Sequence, residues 1–386
     1  MALKRPRWSE GTVVVLEHVS RVLRDNPLGD PHVRRLAVWL PPQYERGASP
    51  GRGAGQARSA GQARGAPRGR GRRLPVLVDM VGFTGSGMSH VAWKSFSENV
   101  PERAARLVHA GRMAPAIIVF PDCFTALGGN QYVNSSAIGR YADYLIQEIV
   151  PFVDREFRTL AQREHRGCFG KSSGGYGAIM HAMRYPGTWG AIADHSGDAY
   201  FEFVYGCDWP NTLDELAKHR PRRLRPGRYD VLRMQRGADR GLDDGRVRRF
   251  LQAVWKKPKL SSAEVHAIMN LCMAATYDAD PRAPNGFRLP LNLETGELLP
   301  ERWRAWQRHD PVRLVAAHRR QLRSLRGIYI DCGWRDQYHI QYGSRLLSKR
   351  LRAAGVAHVY QEFDDDHSDI DYRMEVSLPF LSRALR

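Results

Sequence analysis

The stretch HRGCFGKSSGGYGA, residues 165–178, joins a short apolar run to a glycine-rich turn and then to residues that favour a helix. Within it, Gly170-Lys171-Ser172-Ser173-Gly174 matches the pattern G-x-S-x-G. At a tight strand-to-helix turn a serine hydroxyl projects from the sheet edge, and glycines two residues to either side let the backbone approach closely. The helix that follows aims free amides and its positive dipole end at an oxyanion forming beside it. Ser172 is therefore the candidate nucleophile. Ser173 is the weaker choice, because position 171 would then have to be small and is lysine. The same letters can end a phosphate-binding loop, G-x-x-x-x-G-K-[ST], but its first glycine would fall at His165.

Working outward, the chain alternates. RRLAVWL (34–40) reads as a strand closed by Pro41-Pro42, since proline cannot donate to a ladder. LPVLVDM (74–80), AIIVFPD (116–122), RGCFG, WGAIADHSG (189–197), RGIYIDCG (326–333) and HVYQEF (358–363) are further short apolar strands. Helices are predicted near 98–110, over 138–157, from Ser173, around 342–354 and over 372–385. In the second of these, Ile138, Tyr141, Leu145, Ile149 and Phe152 fall on one helical face. Short apolar strands alternating with helices imply an α/β fold with a mainly parallel sheet covered on both faces. Residues 200–310 break the rhythm with four tryptophans and the helical run EVHAIMNLCMAATY, and read as a cap-like insertion over the carboxyl edge of the sheet.

The formal charge of +19 invites a nucleic-acid reading, yet +15 of it sits in residues 46–73 and 220–249. The first tract holds eight arginines and no acid, repeats A-G-Q-A-R-x, and reads as a disordered loop insertion. It lacks the interleaved aromatics that stack on bases, so a nucleic-acid partner is not expected. In the second tract, Arg220, Arg222, Arg223, Arg225 and Arg228 either border the site entrance, favouring anionic substrates, or form a solvated surface. Hydrophobic residues at 42% supply a sizeable core. Five scattered cysteines without a C-x-x-C pair fit a reducing compartment. No signal-peptide pattern or transmembrane run is present, so a cytoplasmic protein is expected.

A serine nucleophile needs a base, and the base an orienting acid, in the chain order Ser…Asp/Glu…His. The strand RGIYIDCG is followed by Trp334-Arg335-Asp336, which places a carboxylate just past a strand end. His367, in FDDDHSDIDY, lies between the last strand and the last helix, where a base must hang. Asp331 is the rival acid, but it sits within its strand. Asp364, Asp365, Asp366 and Asp369 read as a solvated turn, with no second histidine at ligand spacing. The oxyanion donors are expected to be the amides of Ser173 and of Phe83, in the loop Met80-Val81-Gly82-Phe83.

RRLAVWLPPQYE, FPDCFTALGGNQYVNSSAIGRYADYLIQEIVPFVDREFRT, GKSSGGYGA, IDCGWRDQY and EFDDDHS together resemble the putative-esterase group of α/β hydrolases, which includes esterase D, enterochelin-esterase-like and mycolyl-transferase-like proteins. The resemblance covers most of the chain outside 46–73. It implies a single α/β-hydrolase domain over 1–386 and a Ser-Asp-His triad at Ser172, Asp336 and His367. Two departures stand out: the serine-to-aspartate gap is lengthened by 200–310, and the usual His-Gly pair near the oxyanion loop is Val81-Gly82. The expectation is a serine esterase acting on a small-molecule ester without cofactor or metal. Acyl transfer to an alcohol uses the same residues, and an arginine-rich nucleic-acid binder on a retired scaffold is the alternative from another class.

Overall fold

Every run read as a strand pairs into one sheet. The computed structural model describes residues 8–45, 71–221 and 243–386. The sheet comprises β1 (Thr12–Val19), β2 (Val33–Leu40), β3 (Val76–Met80), β4 (Ile117–Pro121), β5 (Arg166–Lys171), β6 (Ala191–His195), β7 (Gly327–Gly333) and β8 (Val359–Phe363). Across the sheet they lie in the order β1-β2-β4-β3-β5-β6-β7-β8. The β1–β2 and β2–β4 pairs are antiparallel, and every later pair is parallel. The arrangement is the α/β-hydrolase fold.

Alternation along the strands splits the core in two. Val76, Val78 and Met80 of β3 face one apolar cluster, and Leu77 faces the other. Of five longer helices, α1 (Val100–His109), α2 (Ser173–Arg184), α4 (Ile340–Ala353) and α5 (Met374–Ala384) cover the two faces, and α3 (Ser262–Tyr277) belongs to the insertion at 200–310. Ile179, Met180 and Met183 of α2 join the first cluster; Ala104 and Leu107 of α1 and Leu378 and Leu381 of α5 join the second. The start of α1 is fixed by its sequence. Asn99 accepts from the Glu102 amide at 2.9 Å while Glu102 accepts from the Asn99 amide at 3.0 Å, a reciprocal cap.

Three elements differ from the sequence reading. β1 has no counterpart in it, because Val13, Val15 and Val19 point outward on an edge strand and obscure the two-residue period. The helix read over 138–157 consists of Tyr141–Asp143 and Val150–Glu156 flanking a π turn, Tyr144–Ile149. That turn carries Glu148, whose carboxylate accepts from the amides of Arg21 and Val22 at 2.9 and 3.1 Å. The described residues of 200–310 are more helical than their composition suggests, with Trp209–Ala217, Arg246–Val254 and Pro300–Gln307 beside α3. Helix α3 packs on Trp209–Ala217 and reaches the loop after β4, where Cys272 donates to the Gly129 carbonyl at 3.4 Å. The loop expected at 46–73, apart from residues 71–73, lies outside the described residues. Among the described residues no helix is long and apolar enough to cross a membrane.

Candidate active site

Ser172 stands between β5 and α2 with φ 58° and ψ −123°, a conformation that L-residues rarely adopt. Its amide donates to the His195 carbonyl at 2.9 Å, and its carbonyl accepts from Tyr176 at 2.9 Å, which opens the helix. Both glycines of the pattern are needed because the Met80 backbone lies against the turn. A Cβ on Gly174 would fall 2.6 Å from the Met80 carbonyl carbon and closer still to its oxygen; one on Gly170 would fall 2.7 Å from the carbonyl carbon of Gly174. Neither neighbour is a side chain that can swing away. Lys171 is half-buried, and burial holds it below the ordinary lysine range against the pull of Asp371, Asp369, Asp336 and Asp366.

The loop after β3 abuts this turn. A Cβ built on Gly82 would meet the Ser172 Cβ at 3.5 Å. In that loop the Gly85 amide donates to the Gly82 carbonyl at 3.0 Å and the Thr84 amide to the Gly128 carbonyl at 2.7 Å. The Phe83 amide takes part in neither bond. Ser173 is the first residue of α2, so its amide lies outside the helical ladder. Its hydroxyl is buried and accepts from Gln131 Nε2 at 3.2 Å.

Asp336 and His367 are brought into direct contact, with His367 Nδ1 2.7 Å from Asp336 Oδ2. Both are buried. Donation from Nδ1 to the carboxylate fixes the tautomer and leaves Nε2 as the basic nitrogen. Each member of the tripeptide 336–338 holds a different part of this histidine. Asp336 takes Nδ1, Gln337 Oε1 accepts from the His367 amide at 2.9 Å, and the Tyr338 ring meets the imidazole edge-on, centroids 4.9 Å apart. The Tyr338 amide in turn donates to Asp336 Oδ1 at 2.9 Å. Among the described residues no hydrogen bond joins Ser172 Oγ to His367; such bonds often tighten only when substrate binds.

Asp331 is engaged elsewhere. Its carboxylate accepts from His195 Nδ1 at 2.6 Å, Tyr329 Oη at 2.8 Å and Arg373 Nε at 2.9 Å. Burial pushes its pKa up, but His195 and Arg373 pull it further down, to a net depression.

Several residues near the site carried no signal in the sequence. Gln131 Nε2 also donates to Asp198 Oδ2 at 3.0 Å, and that oxygen accepts from Tyr205 Oη at 2.8 Å. Burial raises the Asp198 pKa against those bonds and against the attraction of His367. Gln337 and Tyr338 fall inside IDCGWRDQY, but only long-range contacts reveal what they do. Of the arginines considered for the entrance, Arg220 pairs with Glu294 at 3.0 Å, and Arg222, Arg223, Arg225 and Arg228 lie outside the described residues. Among the described residues no group of histidine, cysteine and carboxylate side chains is placed to hold a metal ion.

Residues 66–377 match the family described as "Putative esterase". The chain belongs to this family. Esterase Rv1288 of Mycobacterium tuberculosis is 34% identical over 105 residues, which cover 25% of this chain and 22% of that relative. The chain thus matches about a fifth of the length of that curated protein. Among solved structures, a ferulic acid esterase superposes with a TM-score of 0.53 at 18% identity, covering 97% of this chain and 98% of the other. S-formylglutathione hydrolase from Agrobacterium tumefaciens gives 0.52 at 15%, covering 100% and 99%. The fluorophosphonate-binding serine hydrolase FphF of Staphylococcus aureus gives 0.52 at 13%, covering 96% and 98%. At these identities what is shared with this esterase-family chain is the fold.

Proposed function

We propose that this chain is a carboxylic-ester hydrolase with Ser172 as nucleophile, His367 as base and Asp336 as the acid that orients it. Ser172 Oγ attacks the ester carbonyl and passes its proton to His367 Nε2. The Ser173 and Phe83 amides stabilise the oxyanion that results. The leaving alkoxide takes the proton from His367, giving an acyl-enzyme and free alcohol. Water then attacks the acyl carbon, with His367 again as base, and the carboxylic acid departs as Ser172 recovers its proton.

The observation that carries the reading is the 2.7 Å His367–Asp336 contact at the sheet edge that also presents the strained Ser172. The described residues of the insertion at 200–310 would act as a cap over that edge, admitting a small-molecule ester. None of the five cysteines is disulfide-bonded, which fits a reducing cytoplasm. The test is labelling of the protein with a fluorophosphonate probe followed by peptide mapping. The reading requires label on Ser172, lost in His367→Ala; label elsewhere, or none on folded protein, refutes it.

A further inference from the structure

We propose that Tyr338 is a positioning residue for His367, and that His266 of the inserted helix α3 holds Tyr338 in place. The proposal rests on His367 being the base. The Asp336 bond fixes one ring nitrogen but leaves the imidazole able to swing about it, and a second contact is needed to set the plane. The Tyr338 ring supplies it, meeting the imidazole at an interplanar angle of 71° with centroids 4.9 Å apart. Edge-to-face pairs of this kind are attractive and geometrically selective.

Tyr338 is itself held at both ends. Its amide is bonded to Asp336, and its hydroxyl lies 3.3 Å from His266 Nε2. The other nitrogen of that ring, Nδ1, lies 3.3 Å from Asp208 Oδ1. The Asp208 carboxylate accepts, so Nδ1 carries a proton, and in the neutral ring Nε2 accepts from the tyrosine hydroxyl. Asp208 is buried and receives Asn270 Nδ2 on its second oxygen at 3.3 Å. A continuous set of contacts therefore runs from the inserted helices to the imidazole. The insertion has a part in turnover as well as in admitting substrate. Displacing the base by about 1 Å can cost on the order of a hundredfold in rate, so small losses of order here are measurable.

The experiment measures kcat and KM for a chromogenic acetate ester, and the fluorophosphonate labelling rate, for Tyr338→Phe, Tyr338→Ala, His266→Ala, His266→Gln and the Tyr338→Phe/His266→Ala double variant. Tyr338→Ala should lose kcat by about a hundredfold, with KM within a few-fold. Tyr338→Phe and His266→Ala should each lose roughly tenfold, and the double variant no more than either alone, because both remove one bond. His266→Gln, whose amide oxygen accepts from the tyrosine, should recover most of the loss, and labelling rates should follow kcat. Additive losses, effects confined to KM, or full kcat in Tyr338→Ala overturn the proposal. His367→Ala keeps the two ideas apart: if it still turns over ester, the base assignment is wrong whatever the cycle gives.

Discussion

Asp331→Asn and Asp336→Asn alter carboxylates five positions apart and should fail in different ways. The Asp331 carboxylate is fully buried and receives His195, Tyr329 and Arg373 within 2.9 Å. An amide there leaves the Arg373 guanidinium facing a neutral group. Breaking a buried ion pair costs about 3–5 kcal/mol, and the low end applies because Arg373 keeps some contact with water at 14% side-chain exposure. At about 2.1 cal/mol/K of unfolding entropy per residue, 386 residues give roughly 1.2 °C per kcal/mol, so the melting temperature should fall by about 4 °C. Its pKa is depressed in the fold, so this share of stability is present above the unfolded carboxylate value and is lost as pH drops through the folded one. Asp331→Asn should remove that acid-side dependence, and its turnover per folded molecule should stay within a few-fold of wild type. Asp336→Asn should instead keep its melting temperature within about a degree and lose about 10⁴ in kcat at neutral pH, because an amide favours the wrong His367 tautomer. The assay is one chromogenic ester and one thermal scan on both purified variants. The reasoning is refuted if folded Asp336→Asn keeps more than a tenth of wild-type turnover, or if Asp331→Asn takes the larger kinetic loss at an unchanged melting temperature.

Ser172→Ala should remove fluorophosphonate labelling and lower ester turnover by about 10⁴–10⁶. Ser173→Ala keeps the amide and loses only an acceptor for Gln131, so roughly 1 kcal/mol of stability and less than tenfold in kcat are expected, read by urea titration and the same ester. Gly174→Ala places a Cβ against the Met80 carbonyl, backbone on backbone; a variant with wild-type melting temperature and labelling would show that the turn has room after all. Burial pushes the His181 pKa down to about 4, while Nε2 donates to the Tyr132 carbonyl and Nδ1 accepts from Trp189. The unfolded chain binds that proton first, so stability should decline by about 2–3 kcal/mol as pH falls from 6.5 to 4.5. His181→Gln should lose this part of the pH dependence, seen as a smaller difference between urea midpoints at pH 7 and pH 4.5.

How much of the molecule could be read from residues alone follows from how local each constraint is. The turn around Ser172 was legible because its steric demand is met within five residues, two of which must be glycine. Strands such as β3, β4 and β6 were legible because runs like AIIVFPD are apolar on both faces, as buried strands must be. Asp336 stood apart from Asp331 through its place beyond a strand end, a topological cue. Glu148 illustrates the opposite case. A π turn leaves the apolar spacing of its helix almost intact, so nothing in YLIQEI announces it. Gln131, Asp198 and Tyr338 were hidden for another reason: each is defined by partners more than thirty positions away or by a ring face, and neither leaves a mark on sequence period. The same holds for His266, one of fourteen histidines, whose meaning depends on a helix docking beside the loop of Asp336 and Tyr338.

The backbone of Ser172 has a consequence for anyone selecting variants of this chain. A φ of 58° with a ψ of −123° suits glycine and strains every other residue by on the order of 1–3 kcal/mol. Ser172→Gly should therefore melt higher than the natural sequence while doing no chemistry. A library screened for heat resistance alone would enrich this replacement, and the hardiest survivors would be inert. If Ser172 is the nucleophile proposed above, a screen must read turnover at every round to keep this strained serine in place.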